Sequence, residues 1–162
     1  MKVRLGLVAA LVLTAAVAFT SPGGASASPK ADENCMIVLA PLQKGETDSK
    51  IVDQRCSSDP AALAPDAMYV KLITWYDGIN YGDPHIDVYS IYGSCDRYGY
   101  GIHDVGAGWA ARISSFELWG SCFYTDAWDQ TDYHGNWTFY AGDVAWVGSV
   151  WNDRIRSMHI SA

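Results

Sequence analysis

Four histidines and a set of closely spaced carboxylates are the residues of this chain with the most obvious chemical potential. The histidines are His85, His103, His134 and His159. None of them belongs to an H-E-x-x-H zinc sequence, and no G-x-S-x-G sequence provides a nucleophile elbow. His103 and Asp104 are neighbours, but successive residues of a strand point to opposite faces. The sequence therefore predicts that the chain is not an enzyme.

Three aspartates follow one another at intervals of three residues: Asp126, Asp129 and Asp132. An EF-hand loop needs ligands at alternating positions, a central glycine and a distal glutamate, and this stretch does not provide that order. The three aspartates are therefore predicted to lie at a solvated hairpin tip and not around a cation.

The elements that must position these residues are predicted to be β-strands. Residues 68–75 are rich in β-branched and aromatic side chains, and residues 85–88 and 137–139 alternate in polarity. Gly, Asp and Asn separate such runs, and no segment has a sustained period of 3.6 residues. The pattern predicts two antiparallel sheets packed face to face.

An internal repeat occupies the second part of the chain. Matching residues 42 apart are Trp109 with Trp151, Arg112 with Arg154, Ile113 with Ile155, and Ser115 with Ser157. Asp104-Val105 is also matched with Asp143-Val144. The two copies are predicted to span about 68–119 and 122–162. The first copy is longer, and residues 93–101 are predicted to hold most of its extra length.

The hairpins of the two copies carry paired aromatic residues. Trp128, Tyr133 and Gly135 form the pattern aromatic-x4-aromatic-x-Gly, and Tyr76 and Tyr81 repeat its aromatic part. Two such aromatics can pack across a tight turn, and the glycine permits a backbone angle that a Cβ resists.

This pattern, together with the Trp109 and Trp151 loops, resembles the Greek-key motif of the βγ-crystallin family. Two motifs make one domain in that family. The resemblance therefore implies an all-β fold in which two tandem Greek-key motifs form a βγ-crystallin-like β-sandwich over about 67–162. In the first hairpin the family's glycine position carries Asp83, and Gly82 stands one residue earlier.

The resemblance also implies a cation site. Calcium-binding members of the family carry a loop of the form [N/D]-[N/D]-x-x-[S/T]-S in each motif, and two adjacent loops exchange ligands. Here the second loop keeps Asn152 and Asp153 but has Arg156 at the Ser/Thr position, while the first loop keeps Ser114. The resemblance therefore implies one degenerate Ca²⁺ site formed by Asn152, Asp153 and Ser114.

The reciprocal site is predicted to be lost. Its side chains would be Ala110, Ala111 and Arg156, which offer no oxygen ligand and add a fixed positive charge. A second interpretation stays open, in which Asn152 and Asp153 only cap their loop and Arg156 replaces the ion through a salt bridge.

The N-terminal residues 1–27 have the features of a secretory signal peptide. A short basic start precedes an apolar run at 5–20, which is short for a membrane span, and small residues at 25–27 provide a cleavage site. The sequence therefore predicts secretion. Cleavage would leave 9 basic and 18 acidic residues, a balance that argues against nucleic acid or an anionic membrane as partner.

Four cysteines remain after this segment, and export makes disulfides the expected state. Three pairings are possible, and Cys35–Cys56 with Cys95–Cys122 is favoured because each bond closes within a local unit. Residues 28–66 are predicted to be a disulfide-pinned N-terminal extension, either a hairpin or an irregular loop, that ends in a linker.

The predicted function is that of a secreted, non-enzymatic domain that binds one Ca²⁺ ion weakly. The resemblance extends to secreted actinobacterial proteins related to the Streptomyces metalloproteinase inhibitor and to killer-toxin-like proteins. It therefore implies two alternatives, inhibition of an extracellular protease through residues 93–103, tethered by Cys95, or antimicrobial toxicity. Carbohydrate binding by exposed Trp and Tyr is a further alternative, which an exposed, coplanar set of aromatic rings would favour and burial of the rings would remove.

Overall fold

A computed structural model describes residues 33–106 and 108–162 of the chain. The predicted signal peptide, residues 1–27, lies outside the described residues. The strands are β1 (Asn34–Leu39), β2 (Ile51–Ser57), β3 (Val70–Gly78), β4 (Gly82–Ser90), β5 (Tyr100–Ile102), β6 (Ser115–Leu118), β7 (Tyr124–Trp128), β8 (Trp137–Ala141) and β9 (Ser157–Ser161). Within the described ranges, no helix is long and apolar enough to cross a membrane.

The strands form two sheets with the orders β2-β1-β4-β3-β6 and β5-β9-β7-β8. In the first Greek-key motif, β3 pairs with β4 and β6, while β5 crosses over to pair with β9. In the second motif, β7 pairs with β8 and β9, while Val144 crosses over to bridge Phe116 of β6. Each motif therefore contributes to both sheets, which confirms the predicted all-β class with two tandem Greek-key motifs.

The structural repeat differs in one place from the repeat that was predicted from sequence. The Val105 amide donates to the Arg156 carbonyl at 2.9 Å, and the Val147 amide donates to the Ser114 carbonyl at 3.0 Å. Val105 therefore corresponds to Val147, 42 residues later. The predicted match of residues 104–105 with residues 143–144 was wrong, because a two-residue match does not define strand register.

The paired aromatics of both hairpins are in contact, as predicted. The ring centroids of Tyr76 and Tyr81 are 5.7 Å apart, and those of Trp128 and Tyr133 are 5.3 Å apart. Both pairs meet edge to face, an arrangement that sets the positive edge of one ring against the negative face of the other.

The two hairpin tips also share an unusual backbone. Asn80 and Tyr81 have φ angles of 54° and 62°, and Asp132 and Tyr133 have φ angles of 56° and 61°. Two consecutive left-handed residues without glycine are uncommon, since the Cβ opposes this conformation. Their recurrence at equivalent positions shows that the surrounding structure imposes it.

The glycine of the second hairpin is replaced by a different device in the first. Gly135 has a φ of 85°, and a Cβ there would collide with the carboxylate of Asp129. Asp83 is not left-handed. Instead, Gly78 pairs with Gly82 across the first hairpin, and a Cβ on Gly78 would lie 3.0 Å from the Gly82 Cα.

Two fully buried serines fasten these hairpins to the sheets. The Ser115 hydroxyl accepts a hydrogen bond from the Tyr81 amide at 3.0 Å and donates one to the Gly78 carbonyl at 2.6 Å. Ser157 makes the same two bonds to the second hairpin, at 3.1 and 2.7 Å. Both serines come from the matched positions of the repeat, so the repeat encodes the support of each hairpin.

The N-terminal extension adds a hairpin to the first sheet. β1 lies between β2, antiparallel, and β4, parallel. Its Met36 and Val38 pack with Tyr89 on the outer face of the sheet, beneath Leu63 and Tyr69, and the alternate residues face the main core. A strand that is buried on both faces needs apolar residues at every position, which accounts for the unbroken apolar run of β1.

Both predicted disulfides are present. Cys35 and Cys56 stand opposite each other in the β1–β2 register and are bonded, and Cys95 is bonded to Cys122 ahead of β7. Disulfides of this kind persist in oxidising compartments, so the pairing favours a location outside the cytoplasm.

The main core lies between the two sheets and receives residues from both motifs and from the extension. Its largest fully buried side chains include Trp75, Trp109, Phe116, Ile113, Ile155 and Met158. Ile113 and Ile155 occupy equivalent positions of the repeat, so the two loops anchor themselves in the core in the same way.

We expect Ser157→Ala to lower the free energy of unfolding by about 1–3 kcal/mol, because it leaves the Tyr133 amide and the Gln130 carbonyl without their partner. Urea unfolding followed by fluorescence measures the change. The exposed Ser149→Ala is the matched control and should change stability by less than about 0.5 kcal/mol. Equal stabilities of the two variants would show that the serine does not hold the hairpin.

We expect stability to fall above about pH 10 because several tyrosines keep their protons in the folded state. Burial raises the pKa of Tyr140 to about 12, and burial followed by the charge of Asp48 raises the pKa of Tyr133. The unfolded chain releases these protons near pH 10 while the folded chain holds them, so the stability present below that pH is lost as pH rises. Melting temperatures across this range measure the decline.

Tyr140→Phe provides the control for the alkaline decline. The variant loses the hydrogen bond to the Val147 carbonyl and is less stable at every pH, but its stability should fall less steeply above pH 10 because one proton fewer is released. A slope equal to that of the unmodified chain would rule out a contribution from this residue.

Candidate cation site

The two loops that carry the predicted ligands have the same local structure. The Gly106 carbonyl accepts hydrogen bonds from the amides of Trp109 and Ala110 at 2.9 and 2.8 Å. The Gly148 carbonyl accepts the equivalent bonds from Trp151 and Asn152 at 3.0 and 2.9 Å. Each loop is thus a short helical turn that is closed on its own glycine carbonyl.

The loops are also bonded to each other. The amide of Val147 donates to the carbonyl of Ser114, the amide of Val105 donates to the carbonyl of Arg156, and the Asp153 amide donates to the Ile113 carbonyl at 3.2 Å. All three bonds are between backbone groups. The side chains at the ligand positions can therefore change without loss of this contact.

The structure brings the three predicted ligands together. The buried Ser114 hydroxyl lies 3.4 Å from Asp153 Oδ1, and the Asn152 amide group donates to Asp153 Oδ2 at 2.8 Å. Asp153 is exposed and left-handed, with a φ of 60°. A cation at this position would be held by oxygens of Ser114, Asn152 and Asp153.

The reciprocal position has the composition that the sequence predicts. Ala111 and Arg156 are exposed, and Ala110 is buried. The salt bridges that arginines form among the described residues involve Arg55, Arg112 and Arg154, and none involves Arg156. The interpretation in which Arg156 replaces the ion through a salt bridge therefore has no ion pair to support it.

The three spaced aspartates do not surround a common centre. Asp129 accepts hydrogen bonds from the amide and side chain of Asn136 and from Arg154, and the Asn136 bonds are the main cause of its lowered pKa. The Asp126 carboxylate accepts a hydrogen bond from the Trp137 indole N–H, and Asp132 is exposed at the hairpin tip. Across residues 33–106 and 108–162, no group of three or more His, Cys, Asp or Glu side chains is placed to hold a metal ion.

Three of the four histidines lie close to carboxylates, but His103 does not pair with its neighbour Asp104. His103 Nδ1 lies 2.6 Å from Asp48 Oδ2, whereas Asp104 accepts a hydrogen bond from the Gly106 amide. His85 Nδ1 lies 2.6 Å from Asp83. Sequence reasoning missed the Asp48 contact, because it joins the extension to a residue that lies 55 positions later, just after β5.

Residues 93–103 do not form one exposed loop. Tyr100–Ile102 is strand β5 and is buried in the second sheet. The exposed part is the turn at 92–98, in which Cys95 is bonded to Cys122. A protease-binding loop at this position would therefore have to use the turn alone.

An open cleft of about 840 Å³ lies beside this turn. Residues 41–47 of the extension form one wall, the turn at 92–98 forms another, and Trp128, Tyr133 and His159 of the second motif also line it. We call it the aromatic cleft. The sequence carries the rings but gives no sign that the extension reaches them.

Comparison with known proteins identifies similar folds only. No protein-family model and no curated protein matches the chain. Among solved structures, a βγ-crystallin domain from Clostridium beijerinckii is 22% identical, with a TM-score of 0.43, over 56% of this chain and 98% of its own. A βγ-crystallin domain from Flavobacterium johnsoniae is 20% identical, with a TM-score of 0.40, over 56% and 94%. A βγ-crystallin from an archaeon is 16% identical, with a TM-score of 0.41, over 55% and 95%.

Proposed function

We propose that this chain is a secreted, non-enzymatic domain that binds one Ca²⁺ ion weakly between its two Greek-key loops. The observation that supports the proposal is the meeting of Ser114, Asn152 and Asp153 across the pair of loops. Hydroxyl, amide and carboxylate oxygens are the donors that Ca²⁺ takes in proteins. The backbone bonds between the loops hold these donors together in advance of binding.

The composition of the site accounts for weak binding and for a single ion. Asp153 is its one carboxylate, and Ca²⁺ affinity rises with the number of charged ligands. The equivalent of Asp153 in the first loop is Ala111, and the equivalent of Ser114 in the second loop is Arg156. A second ion would meet no side-chain oxygen there and would be repelled by the guanidinium.

Inhibition of an extracellular protease is a second candidate function. The turn at 92–98 supports it, because this turn is exposed and is held by the Cys95–Cys122 bond. A rigid exposed turn loses little entropy when it enters an enzyme cleft. Complex formation with a secreted metalloproteinase, abolished when residues 92–98 are replaced by a short Gly-Ser linker, tests it. No feature of the described residues favours the killer-toxin-like alternative.

We expect calorimetric titration of the chelator-treated mature chain with Ca²⁺ to show saturable binding of one ion. Binding to the folded state alone raises the melting temperature, by a free energy of about 2.7 kcal/mol at 100 times the dissociation constant, and a chelator reverses the shift. Asp153→Ala should abolish both effects. Absence of heat together with an unchanged melting temperature would contradict the proposal.

We expect the double variant Ala111→Asp, Arg156→Ser to bind two ions, because it supplies the missing carboxylate and hydroxyl at the reciprocal position. Both residues are exposed, so the substitutions should leave the fold intact. The same titration measures the stoichiometry. A stoichiometry that stays at one would show that the loop geometry, and not the ligand set, limits binding.

A further inference from the structure

The outer face of the second sheet carries a strip of uncovered aromatic rings. Trp137 is 56% exposed, Phe139 48% and Tyr124 41%. The rings of Tyr124 and Phe139 are stacked, with centroids 5.6 Å apart and planes 28° apart. Rings of this size would stabilise the fold if they were buried, so a contiguous exposed set marks a binding surface.

The aromatic strip continues into the aromatic cleft. Trp128 lines the cleft and stands opposite Trp137 in the β7–β8 register, so both side chains lie on the same face of the sheet. On the far side of the cleft Tyr92 is 79% exposed, and Tyr98 is 61% exposed with the Arg97 guanidinium over its ring, 4.6 Å from the ring centroid. The rings of the cleft and of the strip therefore adjoin at Trp128 and Trp137 and extend across more than one strand, which leaves room for a chain-like ligand.

Polar groups lie among the rings and not only around them. Asp126 stands opposite Phe139 on one side and His159 on the other, and its carboxylate accepts a hydrogen bond from the Trp137 indole. The centre of a protein interface is usually depleted of charged residues. A pyranose ring matches this pattern. Its C–H face can stack on an aromatic ring, and its hydroxyls can donate hydrogen bonds to a carboxylate.

Charge further restricts the ligand. The chain has a formal net charge of −7, which disfavours anionic polymers, including nucleic acids and acidic glycans. The aromatic cleft itself contains both signs, from Lys44, Glu46 and Asp96. Neither the chain nor the cleft repels a neutral ligand.

Both walls of the aromatic cleft are fixed before any ligand arrives. In the turn at 92–98, the carboxylate of Asp96 accepts hydrogen bonds from the backbone amides of Tyr98 and Gly99 at 2.8 and 3.0 Å. In the extension, the Thr47 carbonyl accepts a hydrogen bond from the Tyr133 hydroxyl at 2.9 Å. The carboxylate of the next residue, Asp48, lies 2.6 Å from His103 Nδ1. Preformed walls reduce the entropy that binding would otherwise lose.

We infer that the aromatic cleft and the aromatic strip together bind a neutral polysaccharide, whose pyranose rings stack on Tyr98, Trp128 and Trp137. The site shares no residue with the proposed cation site, so the failure of one proposal would not contradict the other. The extension acquires a role in this arrangement, since it supplies one wall of the cleft.

The test is depletion of the mature protein from solution by insoluble cellulose, chitin, xylan and β-1,3-glucan, followed by calorimetry with the hexasaccharide of whichever polymer binds. We expect saturable binding to at least one polymer. Tyr98→Ala and Trp137→Ala should each weaken it roughly tenfold, because each removes one stacking ring. Trp146→Ala is the matched control, since Trp146 is 54% exposed and lies outside both the cleft and the strip.

Three results would overturn the inference. One is the absence of binding to all four polymers. Another is binding that Tyr98→Ala and Trp137→Ala reduce no more than Trp146→Ala does, with all three variants folded by circular dichroism. The third comes from selection with a displayed peptide library, if peptides bind at Tyr98 and Trp137 while no glycan does, because the surface would then be a protein-binding site.

Discussion

The hydrogen bonds of two buried serine hydroxyls, Ser115 and Ser157, are the interaction on which both Greek-key motifs depend. Each serine holds a hairpin whose tip contains two non-glycine residues in the left-handed region. Such residues cost of the order of 1–3 kcal/mol each, whereas two neutral hydrogen bonds contribute about 0.5–1.5 kcal/mol each. The serines and the edge-to-face aromatic pair therefore offset this cost together. The hairpin, its serine and its pair of aromatic rings thus form one structural unit, and this unit occurs twice in the chain.

The candidate cation site is built next to this unit. Ser114 precedes one of the buried serines, and Arg156 precedes the other. Both positions are fixed by backbone bonds between the loops, which do not depend on the side chains. This explains how Ala111 and Arg156 can stand where the other loop has Asp153 and Ser114 while the fold stays regular. The fold therefore does not depend on which side chains occupy the candidate ligand positions.

The N-terminal extension is part of the architecture and not an appendage. β1 is an interior strand of the first sheet, and the loop that follows β1 crosses to the second sheet, where Ser49 exchanges hydrogen bonds with Gly101. His103 and Tyr133 hold the same loop through Asp48 and Thr47. The extension thus joins both sheets along one side and turns an otherwise open face into a walled cleft. The Cys35–Cys56 bond secures the hairpin from which this loop emerges.

The sequence by itself determined the features that are encoded in short spacings. The repeat and the paired aromatics at Tyr76–Tyr81 and Trp128–Tyr133 could be predicted, because they depend on residues five positions apart or on a fixed repeat offset. The two disulfides could be predicted because each closes within one local unit. The correspondence of Val105 with Val147 has the same 42-residue offset as the rest of the repeat, but the chance identity of residues 104–105 with 143–144 obscured it.

Only the tertiary structure decided the parallel pairing of β1 with β4, the contact of His103 with Asp48, and the meeting of the extension with Trp128 and Tyr133. These contacts join segments separated by roughly fifty or more residues. Such pairings are selected by how the whole set of apolar faces can be buried at once, and no local spacing records that choice.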